Sequence, residues 1–332
     1  CLACYRRYGV NMTQRIISTA VLVFFLVCGN AQAGLLKNQV LFDNGSARSY
    51  HLYVPDKTAD KPMPLVLLLH GHMGDADFMT GQRRKKSPYK LWLDIAEREG
   101  WYLIIPNGEK GSDNFQGWND CRADAKTNPT SDDLGFLNAL VDAISRKYSI
   151  DKQRVYAHGT SNGGNIAYRL AQESGEKYRA IAAVVAAMPA NNKCEHSKAP
   201  VSVLIMNGTE DPLMPYEGGY VGKRKSHQTA RGSVLSTQST LDYWLKNNDI
   251  NSQPIIKKSA DLNTHDKSQI LVKQYVNQKN NTEVILYEMQ GAGHTEPSLS
   301  EHYRRLYTLI VGRQNKDIEM AEEVWKFFER NQ

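Results

Sequence analysis

Positions 159–163 read Gly159-Thr160-Ser161-Asn162-Gly163, a serine with a glycine two residues away on either side. A lone serine hydroxyl is a weak nucleophile. It attacks a carbonyl carbon efficiently only when a base takes its proton and a third group orients that base. The G-x-S-x-G spacing suits a strained turn from strand to helix, where a Cβ at either glycine would collide with neighbouring elements. The flanking residues supply that context. Arg154–Ala157 reads as a short strand entering the motif, and Ile166, Ala167, Leu170 and Ala171 form one apolar helical stripe after it. Acyl transfer through Ser161 is the chemistry to which this points.

The base and the acid must come from further along the chain. His294 stands in Gly291-Ala292-Gly293-His294-Thr295, directly after the apolar run Val284–Tyr287, where a glycine loop could bring an imidazole over the nucleophile. The other downstream histidines fit less well: His196, His227 and His265 lie in polar segments and His302 in a helical stretch. Asp211 follows the run Val201–Met206 in Asn207-Gly208-Thr209-Glu210-Asp211-Pro212, with Glu210 as its local competitor and Pro212 fixing the backbone beside Asp211. Serine, acid, histidine is the chain order of the α/β-hydrolase fold. Two backbone N–H groups should hold the developing oxyanion. One is that of Asn162, and the other comes from the loop after His70-Gly71, with His72 expected and Met73 the alternative. His70 and His72 form an H-x-H pair without a third ligand at recognisable spacing, so no metal and no cofactor is expected.

Elements to position these groups can be read around them. Val40–Phe42 and Tyr50–Val54 suggest an opening antiparallel pair turned at Asn44-Gly45. Pro64–Leu69 and Trp101–Ile105 are continuous apolar runs, as expected of strands covered on both faces. Ser131 is the expected cap of a helix with Asp132 and Asp133 in its first turn and Leu134, Leu137, Val141 and Ile144 on its apolar face. Further strands fall at 180–186, 201–206 and 284–287, and a helix at about 236–247. A last helix should carry Ile318, Ala321, Trp325 and Phe328. The polar stretch 248–268 reads as a surface excursion. Strands alternating with amphipathic helices imply an α/β architecture: a mostly parallel central sheet with helices on both faces.

With 332 residues, 41% apolar and 23% charged, the composition is that of a globular chain with ample core. A net charge of +6 and no basic run beyond Arg83-Arg84-Lys85-Lys86 argue against a nucleic-acid partner. Residues 1–33 read as a leader and signal peptide. Met12 is the start, Ile16–Val27 is an apolar stretch too short to span a membrane, and Ala31-Gln32-Ala33 is a cleavage site, with lipoprotein processing at Cys28 as the rival. Residues 34–332 are then one catalytic domain, exported to the periplasm or beyond. Of five cysteines, Cys121 and Cys194 remain after cleavage, and an oxidising compartment favours a disulfide between them over two buried thiols.

The chain resembles the secreted poly(3-hydroxybutyrate) depolymerase and feruloyl esterase family of α/β-hydrolases. The matching stretches are Leu69-His70-Gly71, Gly117-Trp118, Asp132 to Phe136, Arg154-Val155-Tyr156, Gly159 to Gly164, Asn207 to Gly219, Gly293-His294-Thr295 and Trp325 to Phe328. The resemblance implies the same triad, Ser161, Asp211 and His294, and hydrolysis of small or oligomeric carboxylic esters. Two positions depart from the family: His72, where relatives often carry cysteine or a small residue, and Glu296, where an aromatic is common. Both are expected to face substrate. Trp118 and Tyr216 are expected to line the pocket, since both fall in loops at the strand C-termini. The absence of a Thr- or Ser-rich linker and polymer-binding module favours short soluble esters over granules. A serine peptidase of the same fold and a non-catalytic binding module are the competing classes. A 4-nitrophenyl ester and an aminoacyl-anilide would separate them.

Overall fold

The computed structural model describes residues 33–43, 45–56, 61–83, 87–222 and 230–332. Apart from Ala33, the expected leader lies outside these residues, as do Asn44 and most of the basic run at 83–86. Fourteen strands are present among the described residues. In chain order they are β1 (Gly34–Asp43), β2 (Ser46–Val54), β3 (Met63–Leu69), β4 (Tyr102–Pro106), β5 (Glu109–Lys110), β6 (Gln116–Gly117), β7 (Ile150–Thr160), β8 (Ala180–Val184), β9 (Ser202–Gly208), β10 (Gly219–Tyr220), β11 (Ser233–Val234), β12 (Ile255–Lys258), β13 (Gln269–Asn277) and β14 (Thr282–Gln290). Helices are α1 (Ala76–Met79), α2 (Leu91–Glu99), α3 (Asp133–Lys147), α4 (Asn162–Glu173), α5 (Thr237–Asn247), α6 (Arg305–Val311) and α7 (Met320–Arg330).

Ten strands form one sheet in the order β1-β2-β4-β3-β7-β8-β9-β14-β13-β12. The six from β4 to β14 run parallel, and antiparallel pairs close both edges. Every residue of β3, β4, β8 and β9 is buried, which is why these segments are unbroken apolar runs in the sequence. This is the α/β-hydrolase architecture.

Three expectations shift. Asp132, not Ser131, caps α3: its carboxylate accepts from the N–H of Gly135, while Ser131 donates to Asp133. Asp133 is itself buried against Arg48 at 2.7 Å rather than sitting in an open first turn. The last helix starts at Met320, so Ile318 precedes it; its buried face is Met320, Ala321, Val324, Phe327 and Phe328, with Trp325 at the margin. The stretch 248–268 contains the exposed edge strand β12, and β13 follows it as a second added strand. All four residues of β12, Ile255–Lys258, are exposed, so the strand has no buried apolar run to mark it in the sequence. Among the described residues no helix is long and apolar enough to cross a membrane.

Because β7, β9 and β14 are parallel, their C-terminal ends open on one edge of the sheet. In open α/β sheets that edge is where ligands bind.

Candidate active site

Ser161 occupies the turn between β7 and α4 with φ 53° and ψ −122°, a conformation that a non-glycine residue adopts only when its surroundings enforce it. The enforcing contacts are close. A Cβ on Gly159 would stand 2.1 Å from the carbonyl oxygen of Gly163, and one on Gly163 would stand 2.1 Å from that of Leu69. Both glycines let α4 approach the sheet. The N–H of Ser161 is tied to Val184 O at 2.9 Å, so the serine is presented by a fixed backbone.

His294 follows β14 in a loop pinned from the far side, its N–H donating to Val311 O at 2.6 Å and that of Gly293 to Arg313 O at 2.8 Å. Its Nε2 lies 2.9 Å from Ser161 Oγ and its Nδ1 2.7 Å from Asp211 Oδ2. A carboxylate can only accept, so Nδ1 carries the proton and the Nε2 lone pair faces the serine O–H. Asp211 is held in turn. Its Oδ1 accepts from the N–H groups of Leu213 (2.7 Å) and Met214 (2.8 Å). Glu210, the alternative acid, points outward to Arg313 at 2.8 Å. Burial pulls the His294 pKa down, but the Asp211 charge and hydrogen bond, with Glu296 behind them, outweigh it and leave the pKa raised.

The N–H of Asn162, first in α4, is one of the helix-start donors that find no partner within the helix. Its side chain is fully committed: Oδ1 accepts from Trp118 N at 2.6 Å, and Nδ2 donates to Trp118 O at 3.1 Å and Asp120 Oδ2 at 2.7 Å. In the opposite loop the Met73 N–H is spent on Gln116 O at 2.8 Å. His70 and His72 do not pair on a common centre. His70 is buried between Gly71 O (2.8 Å) and the Gly108 N–H (2.9 Å), and burial lowers its pKa to about 4. The His72 ring lies 3.0 Å from Asp113, and burial, then Arg231, takes it to about 4 as well. Among the described residues the cluster with ligand-like spacing is Cys121, Glu173 and Cys194. Its two sulfurs are bonded to each other, the disulfide expected from the sequence.

A small cleft opens beside Ser161, walled by His72, Arg122, Thr127, Asn128, Asn162, Met214, Val221 and Arg231. Two expected pocket residues are placed elsewhere. Trp118 is completely buried, its indole Nε1 donating to His70 O at 2.8 Å, and it braces the loop instead of meeting a ligand. Tyr216 directs its hydroxyl to Glu288 at 3.1 Å. Glu296 also turns away from the cleft. It is buried and accepts from Thr160 Oγ1 and from Tyr303 Oη (2.5 Å), joining the residue before the nucleophile to the histidine loop. The residues missed from the sequence are Arg122, Thr127, Asn128 and Arg231. They sit in irregular loops, where the only available signal was clustering of polar types.

The chain is similar to known proteins. NocK of Nocardia uniformis subsp. tsuyamanensis, named as an esterase, is 26% identical over 85% of this chain and 79% of its own. A protein of Aspergillus flavus named as a feruloyl esterase C is 27% identical over 52% of this chain, which spans only 58% of that relative. An acetyl xylan esterase from Aspergillus awamori has the same fold, with TM-score 0.52 and 15% identity over 90% of this chain and 100% of that one. Residues 48–208, from β2 through the nucleophile turn to the end of β9, match the family described as Esterase PHB depolymerase, and over this part the chain is similar to that esterase family.

Proposed function

We propose that the chain is an exported serine esterase, a single catalytic domain over 34–332 behind a leader, that cleaves short carboxylic esters through an acyl-enzyme on Ser161. The observation that carries this reading is the continuous contact from Ser161 Oγ through His294 to Asp211, on one edge of the sheet. Neutral His294 takes the serine proton as Oγ attacks the carbonyl carbon. The N–H groups of Asn162 and His72 receive the oxyanion. The imidazolium then returns its proton to the departing alcohol, and water, activated the same way, releases the acid and frees Ser161. Asp211 holds the tautomer and stabilises the imidazolium. The cleft beside Ser161 is small, which favours a short acyl group. The disulfide is compatible with an oxidising compartment. Feruloyl, acetyl and hydroxyalkanoate esters are the substrate classes.

The test is hydrolysis of 4-nitrophenyl acetate, butyrate and octanoate by wild type and Ser161→Ala. Wild type should turn over the two short esters faster than octanoate, and the variant should lose activity by several orders of magnitude at an unchanged melting temperature. More than about a tenth of wild-type activity in Ser161→Ala would remove the serine from its role.

A further inference from the structure

Among the described residues, the wall of the cleft beside Ser161 carries two guanidinium groups and no carboxylate. They are not equivalent. Arg122 is buried and neutralised, its Nη2 lying 2.7 Å from Asp120, whose carboxylate also receives Asn162 Nδ2. Asp113 lies 3.0 Å from the neutral His72 ring, keeps its charge, and attracts Arg231 from beyond ion-pair distance. Arg231, half-buried, has no ion-pair partner among the described residues, yet a guanidinium keeps its charge in any protein setting. In the same wall, Asn128 Nδ2 is a buried amide nitrogen without a hydrogen-bond partner. Leaving a buried donor unmade is costly, so such an atom marks a place where an acceptor belongs.

The backbone carrying these two donors is pinned. Arg122 Nη1 donates to the carbonyl of Arg231 at 2.7 Å, Thr127 N and Oγ1 both donate to that of Ala230, and Ser233 Oγ donates to Asp124 at 2.7 Å. The loops at 120–128 and 230–233 are thus stitched together, and little ordering is left for a ligand to impose.

We propose that Arg231 and Asn128 form an anion subsite, and that the substrate is an ester whose acyl or alcohol part carries a free carboxylate. Both groups only donate from the atoms concerned, which selects an acceptor, and the planar fork of Arg231 matches a carboxylate in two parallel hydrogen bonds. Because Ser161 is in the same cleft, the anion belongs to the molecule being cleaved. A short hydroxyacid oligomer with its free acid end has this chemistry, whereas a simple acetyl ester does not. The inference rests on the esterase reading above and narrows it.

The experiment compares two matched pairs on wild type, Arg231→Gln and Arg231→Lys. Mono(4-nitrophenyl) adipate against 4-nitrophenyl hexanoate places the carboxylate on the acyl side. 3-Carboxyphenyl butyrate against phenyl butyrate places it on the alcohol side. In at least one pair wild type should have the higher kcat/KM on the anion, and Arg231→Gln should lower the anion-to-neutral ratio by about tenfold or more, as loss of a charge-assisted hydrogen bond does. Arg231→Lys, which keeps the charge and loses the fork, should fall between. Melting curves establish that the variants fold. A ratio changed by less than about twofold in both pairs, or an equal loss on both members, overturns the subsite while leaving the esterase reading intact. Wild type inert on all four esters overturns both.

Discussion

Asp211→Asn tests the arrangement at its most specific point, because the structure dictates how the new amide must sit. Asp211 Oδ1 receives the Leu213 and Met214 N–H groups, and only oxygen can do so. Turning the amide round would set its NH2 against two buried donors, forfeiting both bonds at about 1 kcal/mol each and leaving those donors unsatisfied at about 1–3 kcal/mol each. The amide oxygen therefore stays inward and the NH2 faces His294 Nδ1, in place of the acceptor now 2.7 Å away. Imidazole responds by adopting the other tautomer, with Nδ1 accepting and Nε2–H pointing at Ser161. It then cannot take the serine proton. To this is added the loss of the negative charge that stabilises the imidazolium. Together these should lower kcat by ~10⁴, or about 5.4 kcal/mol. That is milder than the ~10⁶ expected for Ser161→Ala or His294→Ala, which remove a reacting group outright. Stability should change little, since Asn is isosteric and keeps the two backbone bonds. The assay is initial-rate release of 4-nitrophenol from the butyrate ester, with Glu210→Gln as control. Glu210 is solvent-facing on Arg313, and its variant should stay within about twofold of wild type. An Asp211→Asn enzyme with more than about a tenth of wild-type kcat, or a Glu210→Gln enzyme that is dead, refutes the assignment.

Two further outcomes are expected. Activity should rise with pH as His294 loses its proton, with a midpoint above the ordinary imidazole value of about 6.5, since only the neutral ring is a base. Glu296→Gln removes a negative charge that favours the imidazolium, so this acid limb should move to lower pH in the kcat profile; a limb that stays put or moves upward contradicts the electrostatic role of Glu296. The Cys121–Cys194 bridge closes a span of 73 residues, for which the chain-entropy relation gives roughly 4 kcal/mol. Cys121→Ser should therefore melt several degrees below wild type, and peptide mapping after alkylation without reductant should find neither cysteine labelled; two labelled peptides would dispose of the bridge.

The parallel strands were legible because burial on both faces writes a continuous apolar run, as in Leu65 to Leu69 and Val203 to Met206, with helical stripes between them. What was less legible lies where one face is open. β12 has all four residues exposed and β13 is mostly half-buried, so neither produced a run, although β13 extends the sheet by antiparallel pairing with β14 and β12 by antiparallel pairing with β13. The α3 cap slipped by one residue because Ser131, Asp132 and Asp133 are all competent caps. The choice was settled by Arg48, 85 residues away, which draws Asp133 into the interior. No local propensity encodes that contact.

The candidate site divides in the same way. Ser161, Asp211 and His294 each follow a buried strand directly, so their positions came from reading where strands end. The cleft wall is different: Arg122 and Arg231 are 109 residues apart, in loops without periodicity, and are joined by a single side chain reaching a carbonyl. Aromatic residues in such loops look like ligand platforms from the sequence, and Trp118 shows why the inference fails. A large apolar ring beside the nucleophile is most useful as filler under the oxyanion loop, where it satisfies the His70 carbonyl and holds the Asn162 side chain through its own backbone. The turn that presents Ser161 at φ 53° is supported by this packing. What then remains to meet a substrate is the polar rim, in which Arg122 is paired with Asp120 while Arg231 has no ion-pair partner among the described residues. In the proposed subsite, specificity resides in the Arg231 guanidinium, which has no ion-pair partner among the described residues, and in the Asn128 amide, and neither carries a local signal in the sequence.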